Sequence, residues 1–426
     1  MIDMKTLSFL SLGTALALGA AATLSVAPAY AAKKEKAPKA AEAPKLELSK
    51  EFRVAAGPVE ADIKAGKLDG MSARLDALTT QYKLPDEQFI LGGRRYEFGK
   101  VTNNQAELRK AVITMIDSKS GLAGNLAQLN GAAGQYAYNA KDFNDALTRL
   151  SEAVRLGNKD PDTFIIMAES SFQLGKMSEG LGFAERAVAE KKALGQPAPA
   201  DWYQRALSIA IRAKLPSEVA KWSRSRVSAY PTPQNWRDAL LIYKDSNKLE
   251  GQSALDVMRL IRSAKALAGE RDYFEYAALA AERGLPGEAK SVIEEGMASG
   301  AIGKASRPLN ELLTAASAKV AGDLASLAAS EKRASSDAAG KIAAGTADAY
   351  LGYGQDSKAA PLYKIALQKG QVDSDAVNTR LGIALARQGQ KAEAKAAFAA
   401  VGGARADIAK YWALWLDTPA QPAAAK

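Results

Sequence analysis

The 426-residue chain contains no cysteine and no histidine. Without cysteine there is no disulfide framework, thiol nucleophile, thiolate metal site or iron–sulfur cluster. Without histidine there is no Ser-His-Asp triad, no imidazole-ligated zinc or haem, and no ordinary general base for neutral pH. Carboxylate-pair, lysine and tyrosine chemistry remain open. Aromatic residues make up only 7% of the chain, which argues against an aromatic-rich polysaccharide cleft. No G-x-G-x-x-G or Walker pattern occurs. Gly92-Gly93, followed by Arg94-Arg95, is read as a helix break and not as a phosphate site. No cofactor, metal site or small-molecule substrate is expected. With no basic-aromatic module, neither is nucleic acid.

What is present begins with an address. Lys5 gives a positive start, Leu7 to Val26 is an apolar run, and Ala29-Tyr30-Ala31 is a small-x-small cleavage site. Residues 1–31 are therefore expected to be a signal peptide leading to the periplasm, with an uncleaved inner-membrane anchor as the alternative. Residues 32–50 carry six lysines against three glutamates and no aromatic residue. This composition predicts a disordered tether, and the tail 417–426 is expected to be disordered as well. The formal net charge is +10. That excess suits a soluble basic surface, or weak contact with anionic envelope polymers.

The chain also repeats itself every 34 or 35 residues. Ala347 and Gly382, Tyr350 and Leu385, Gly354 and Gly389, Ala359 and Ala394, and Tyr363 and Phe398 are all 35 residues apart. Each stretch reads as helix, tight glycine turn, helix. Small residues mark where two helices cross, and large apolar ones lie between them. The frame extends back through repeats starting near Arg271, Asn235, Asp201, Pro161 and Ala127. Weaker hairpins are expected over 52–117, and a loosely packed hairpin over 305–340.

Small residues at repeat positions 8 and 20, large apolar ones at 11 and 24, Gly at 15 and Ala at 27 resemble the tetratricopeptide repeat. The chain is similar to secreted alphaproteobacterial proteins of that family. The expected fold is all-α: an α-solenoid of stacked helical hairpins over 51–416, clearest at 127–194, 270–300 and 340–403. A helix over 404–416 is expected to cap the last repeat. The resemblance implies a right-handed superhelix whose first helices line a groove for a peptide or protein. It implies no activity.

Groove-facing positions in that frame are 2, 5, 9 and 12 of each first helix. They pick out Trp202, Arg205, Ile209 and Arg212; Trp236, Ala239 and Tyr243; and Arg271 and Phe274. Further along come Lys341, Asp348 and Thr379, with Arg380 and Arg387 beside them. Aromatic and arginine side chains at this spacing suit an extended, partly acidic peptide. The alternative is that the aromatics are core and the arginines a solvated face. Glu294-Glu295 and Glu393 are read as charged helix faces. Three functions stay open: a periplasmic binding scaffold for a protein or peptide partner of the cell envelope, a self-associating or surface-tethered structural protein, and a carboxylate-dependent polysaccharide-acting enzyme.

Overall fold

The computed structural model describes residues 46–303 and 305–418. The expected signal peptide, the tether up to residue 45 and the tail from 419 lie outside the described residues. The described chain is all-α and divides into two compact units, one ending at Ala198 and the other beginning at Pro199.

Unit 1 holds α1 (Lys50–Lys64), α2 (Met71–Gln81), α3 (Pro85–Val101), α4 (Gln105–Asp117), α5 (Leu126–Asn139), α6 (Phe143–Arg155), α7 (Pro161–Gln173) and α8 (Met177–Ala193). The helices pair as α3–α4, α5–α6 and α7–α8, and each pair packs on the next. In α6 the buried residues Ala146, Leu147, Leu150 and Ala153 recur at helical spacing, and the Asp142 carboxylate caps the start by accepting from Asp145 N–H. Such a cap contributes about 1 kcal/mol.

Small residues sit where the frame places helix crossings. A Cβ on Gly134 would lie 2.5 Å from Leu150 Cγ, and one on Gly382 would lie 2.4 Å from Phe398 Cε1. Gly92 belongs to the same class, which corrects its reading as a helix break. It lies inside the continuous α3, and a Cβ there would stand 2.5 Å from Met115 Cγ of α4. The glycine lets two backbones approach closely.

Every repeat-type hairpin from α5 onward turns through a left-handed residue. Gly175, Gly284, Gly354 and Gly389 have φ between 69° and 77°, the region where glycine carries no Cβ penalty. The turns α5–α6, α9–α10 and α11–α12 place Lys141, Lys214 and Lys248 there instead, with φ of 61°, 54° and 48°. Those are the repeats in which the glycine signal fades, although the turn geometry is kept.

Unit 2 holds α9 (Ala200–Arg212), α10 (Pro216–Ala229), α11 (Pro233–Ser246), α12 (Gly251–Ser263), α13 (Gly269–Glu282), α14 (Pro286–Ala298), α15 (Arg307–Ser336), α16 (Lys341–Gly352), α17 (Asp356–Lys369), α18 (Ser374–Arg387), α19 (Lys391–Ala399) and α20 (Ala406–Asp417). Each packs on its sequence neighbours. One continuous apolar core runs from Val227 to Leu416.

The hairpin expected over 305–340 is instead the single 30-residue helix α15. Gly322-Asp323 stands where the hairpin would turn, but no proline follows and the flanking residues are rich in alanine, the strongest helix former, so the helix runs through it. It buries only the seam Leu309, Ala316, Leu327 and Ala334. Two tyrosine hydroxyls of α16 and its turn tie it down: Tyr350 donates to Glu331 and Tyr353 to Asp323, each at 2.7 Å. By length and composition α15 is apolar enough to cross a membrane, but those bonds and that seam join it to α14 and α16.

Unit 2 also closes on itself. The final helix covers α19, as a cap would, with Trp412 stacked on Phe398 at 6.1 Å between ring centroids. It reaches further as well, to α10, α11 and α12. Tyr411 packs against Trp236 and Tyr243 of α11, at 6.5 and 5.6 Å between centroids. Arg224 Nη1 of α10 pairs with Asp407 Oδ1 at 3.3 Å. Behind this closure lies a buried charge network. Arg259 grips Asp256 at 2.9 Å and Glu288 at 2.6 Å, and Tyr276 donates to Glu288 at 2.8 Å.

Candidate peptide-binding groove

In unit 1, α3, α5 and α7 are the first helices of successive hairpins, and together they line a groove of about 580 Å³. Tyr96 comes from α3, and Gln128, Gln135, Tyr136 and Asn139 come from α5. The turn before α7 supplies Asn158 and Asp160, and α7 supplies Asp162, Thr163 and Ile166. Their placement follows from local structure. A Cβ on Gly131 would lie 3.3 Å from Asn158 Nδ2, so the small residue lets the turn approach α5. Asn158 Oδ1 accepts from Asp160 N–H at 2.7 Å, and Asp160 Oδ1 in turn accepts from Asp162 N–H at 3.2 Å at the start of α7.

The groove is polar in a particular way. Among the described residues the side-chain amides of Gln128, Gln135 and Asn139 make no internal hydrogen bond. Each offers both a donor and an acceptor, which matches the alternating N–H and C=O groups of an extended peptide. Its charge is acidic, for Asp160 and Asp162 line it with no lysine or arginine. Burial, then the neighbouring Asp160, push the Asp162 carboxyl above its usual value, against the pull of Lys191. Burial and the adjacent Tyr96 push the Tyr136 phenol well above its usual value.

A larger cavity of about 820 Å³ lies in unit 2, among α12, α14, α15 and α16. Several of its charged groups are engaged internally. Arg262 pairs with Glu295 at 2.7 Å and donates to Ser291 at 2.9 Å, and Lys290 pairs with Glu294 at 3.0 Å. Volume favours this cavity, but unengaged polar groups favour the groove of unit 1.

The residues expected to face a groove are placed as follows. Trp202, Trp236, Tyr243 and Arg380 are buried, at 8, 3, 5 and 4% exposure. Ile209, Ala239 and Thr379 are buried too, while Arg205, Asp348 and Arg387 are half-buried. Arg212, Arg271, Phe274 and Lys341 are exposed. Trp236 and Tyr243 do share a face, and α20 covers it. Arg380 pairs with Asp348 at 2.8 Å and stands 3.6 Å from Asp256, and Arg387 is 3.8 Å from Asp356. These side chains thus do not line one open surface. A step of one helical residue turns a side chain by about 100°, and long-range packing encloses several that point the right way.

The groove of unit 1 was missed, although the same register finds it. Gln128, Gly131 and Gln135 are positions 2, 5 and 9 of the repeat starting at Ala127, and Asp162 is position 2 of the next. Aromatic and arginine side chains mark a binding face in sequence, whereas these amides look like any solvated helix surface. Of the carboxylates read as charged helix faces, Glu294 and Glu295 are ion-paired and Glu393 is exposed. Among the described residues no group of three or more acidic side chains is arranged to hold a metal ion.

No protein-family model and no curated protein sequence matches the chain. Among solved structures it is similar to MamA (14% identity over 37% of this chain and 82% of that one, TM-score 0.30). It is also similar to YrrB, described as a TPR protein with an unusual peptide-binding site (16% identity, 40% and 84%, TM-score 0.28). A tetratricopeptide repeat protein from Parabacteroides merdae matches more of the chain (12% identity, 77% and 98%, TM-score 0.28). Likenesses this distant carry no weight by themselves. The repeat architecture rests on the hairpins, crossings and left-handed turns described above.

Proposed function

We propose that the chain is a non-enzymatic protein–protein interaction scaffold whose unit 1 groove binds an extended peptide segment. The observation that carries this reading is the set of three amides, Gln128, Gln135 and Asn139, unengaged around one groove. Stacked hairpins offer long surfaces and few enclosed pockets, which suits holding a partner better than turning over a small substrate. Asp160 and Asp162 favour a neutral or basic segment over the acidic one that the arginine pattern suggested. The leader-like residues 1–31 support a periplasmic setting, with a protein of the cell envelope as the partner.

Selection of phage-displayed peptides on the full chain tests the binding. A selected peptide should lose at least tenfold in affinity on Gln135→Leu or Asn139→Leu while the melting temperature is unchanged. If no sequence is enriched, or neither substitution weakens binding, the proposal fails. Fractionation of the tagged protein in its own cells tests the location, and recovery with the cytoplasm counts against it.

A further inference from the structure

The face of α10 and α11 beneath α20 is built like a receptor for a helix. Asp407 in the first turn of α20 meets Arg224, and one turn later Tyr411 lies between Trp236 and Tyr243 with the Arg224 guanidinium 5.8 Å over its ring. An acidic residue and an aromatic one at i and i+4 are thereby read by one arginine and two rings.

The fit is incomplete. Ser223 Oγ and Tyr411 Oη are buried and face one another with no well-formed hydrogen bond and no other side-chain partner, and Trp412 Nε1 is buried unpaired on the α19 side of the same helix. Ser223 faces Tyr411 across this seam, and a gap of about 170 Å³ opens there between α10, α11 and α20. A buried polar group that lacks a well-formed hydrogen bond recovers little of its lost hydration, so these atoms weaken the seat relative to the apolar area it buries. Release would restore all three to water. Gly402-Gly403 precede α20, with Gly403 at φ 51°, and for the helix to leave by pivoting there Arg405 must let go of Asp256, 2.7 Å away, while Gly402 N–H can stay on Asp375 Oδ1 at 2.9 Å.

We propose that this face is a helix-binding site held by α20 as a displaceable ligand. The partner it fits is an amphipathic helix carrying an acidic residue and, four residues later, a tyrosine or tryptophan. Opening exchanges an internal helix for an external one of the same chemistry and leaves the rest of unit 2 folded.

Hydrogen exchange on the full chain, with a labelled synthetic peptide of residues 404–418 as the probe, tests this. Amides of α20 should exchange at least tenfold faster than those in the middle of α12, and Asp407→Ala should widen that difference. The peptide should bind the Asp407→Ala chain, and adding Arg224→Ala should abolish binding. Exchange of α20 in step with α12 in the native chain would overturn the proposal, because the helix would then leave only when unit 2 unfolds. So would failure of the peptide to bind the Asp407→Ala chain.

Discussion

Asp256 and Arg405 are 149 residues apart in sequence and 2.7 Å apart in space. Asp256 is fully buried on α12, and its other carboxylate oxygen accepts from Arg259 at 2.9 Å. Arg380 of α18 approaches the same oxygen. One carboxylate thus gathers three guanidinium groups from separate stretches of unit 2.

Asp256→Asn keeps the shape and removes the charge, leaving buried arginines undercompensated. The expected cost is about 3–5 kcal/mol, read as a lower midpoint in urea with unit 2 affected. Arg405→Ala, which removes one partner nearer solvent, should cost less.

Acid should weaken unit 2 through Glu288. Burial opposes its ionisation, but Arg259 at 2.6 Å more than compensates and holds the carboxyl down to about 2, from an ordinary 4.5. A folded-state value below the unfolded one gives stability that is complete above about 4.5 and lost as the pH falls towards 2. Melting temperature should fall across that window, and Glu288→Gln should flatten the fall while lowering stability at pH 7. Asp356 has the opposite sign, since burial raises it against the pull of Arg387. Asp356→Asn should therefore cost far less than Glu288→Gln at pH 7.

Ala359 lies fully buried in α17, at repeat position 20. Ala359→Leu inserts a branched side chain where no space exists and should cost about 1–3 kcal/mol through overpacking. Melting at the native temperature would show that the crossing is placed wrongly.

Lys248 holds a left-handed turn at φ 48° with its side chain exposed. The conformation costs an L-residue about 1–2 kcal/mol, partly offset by the extra freedom glycine brings to the unfolded chain. Lys248→Gly should therefore stabilise by about 0.5–1 kcal/mol in urea denaturation, and a loss of stability would contradict the turn.

Much of the fold was legible because it is local. Gly134 and Gly382 at position 8, Gly354 and Gly389 at position 15 and Ala359 at position 20 each do a task set by a helix within about 20 residues. Where the signature failed, the failure is instructive: Lys214 and Lys248 keep the turn without the glycine, and Gly92 keeps the crossing in a helix read as broken. The groove was legible in register but not in chemistry, because unengaged amides leave no pattern that distinguishes them from a solvated face.

The sequence alone determined that the folded chain is helical, that its helices come as hairpins, and where most of them turn. These follow from periodic burial and from the conformational cost at single residues. Only the tertiary structure decided that Tyr411 would cover Trp236 and Tyr243, that Arg380 and Arg405 would converge on Asp256, and that the open groove would lie on α5 and α7. Such contacts depend on small rotations accumulated from one hairpin to the next. No repeat encodes that sum within itself.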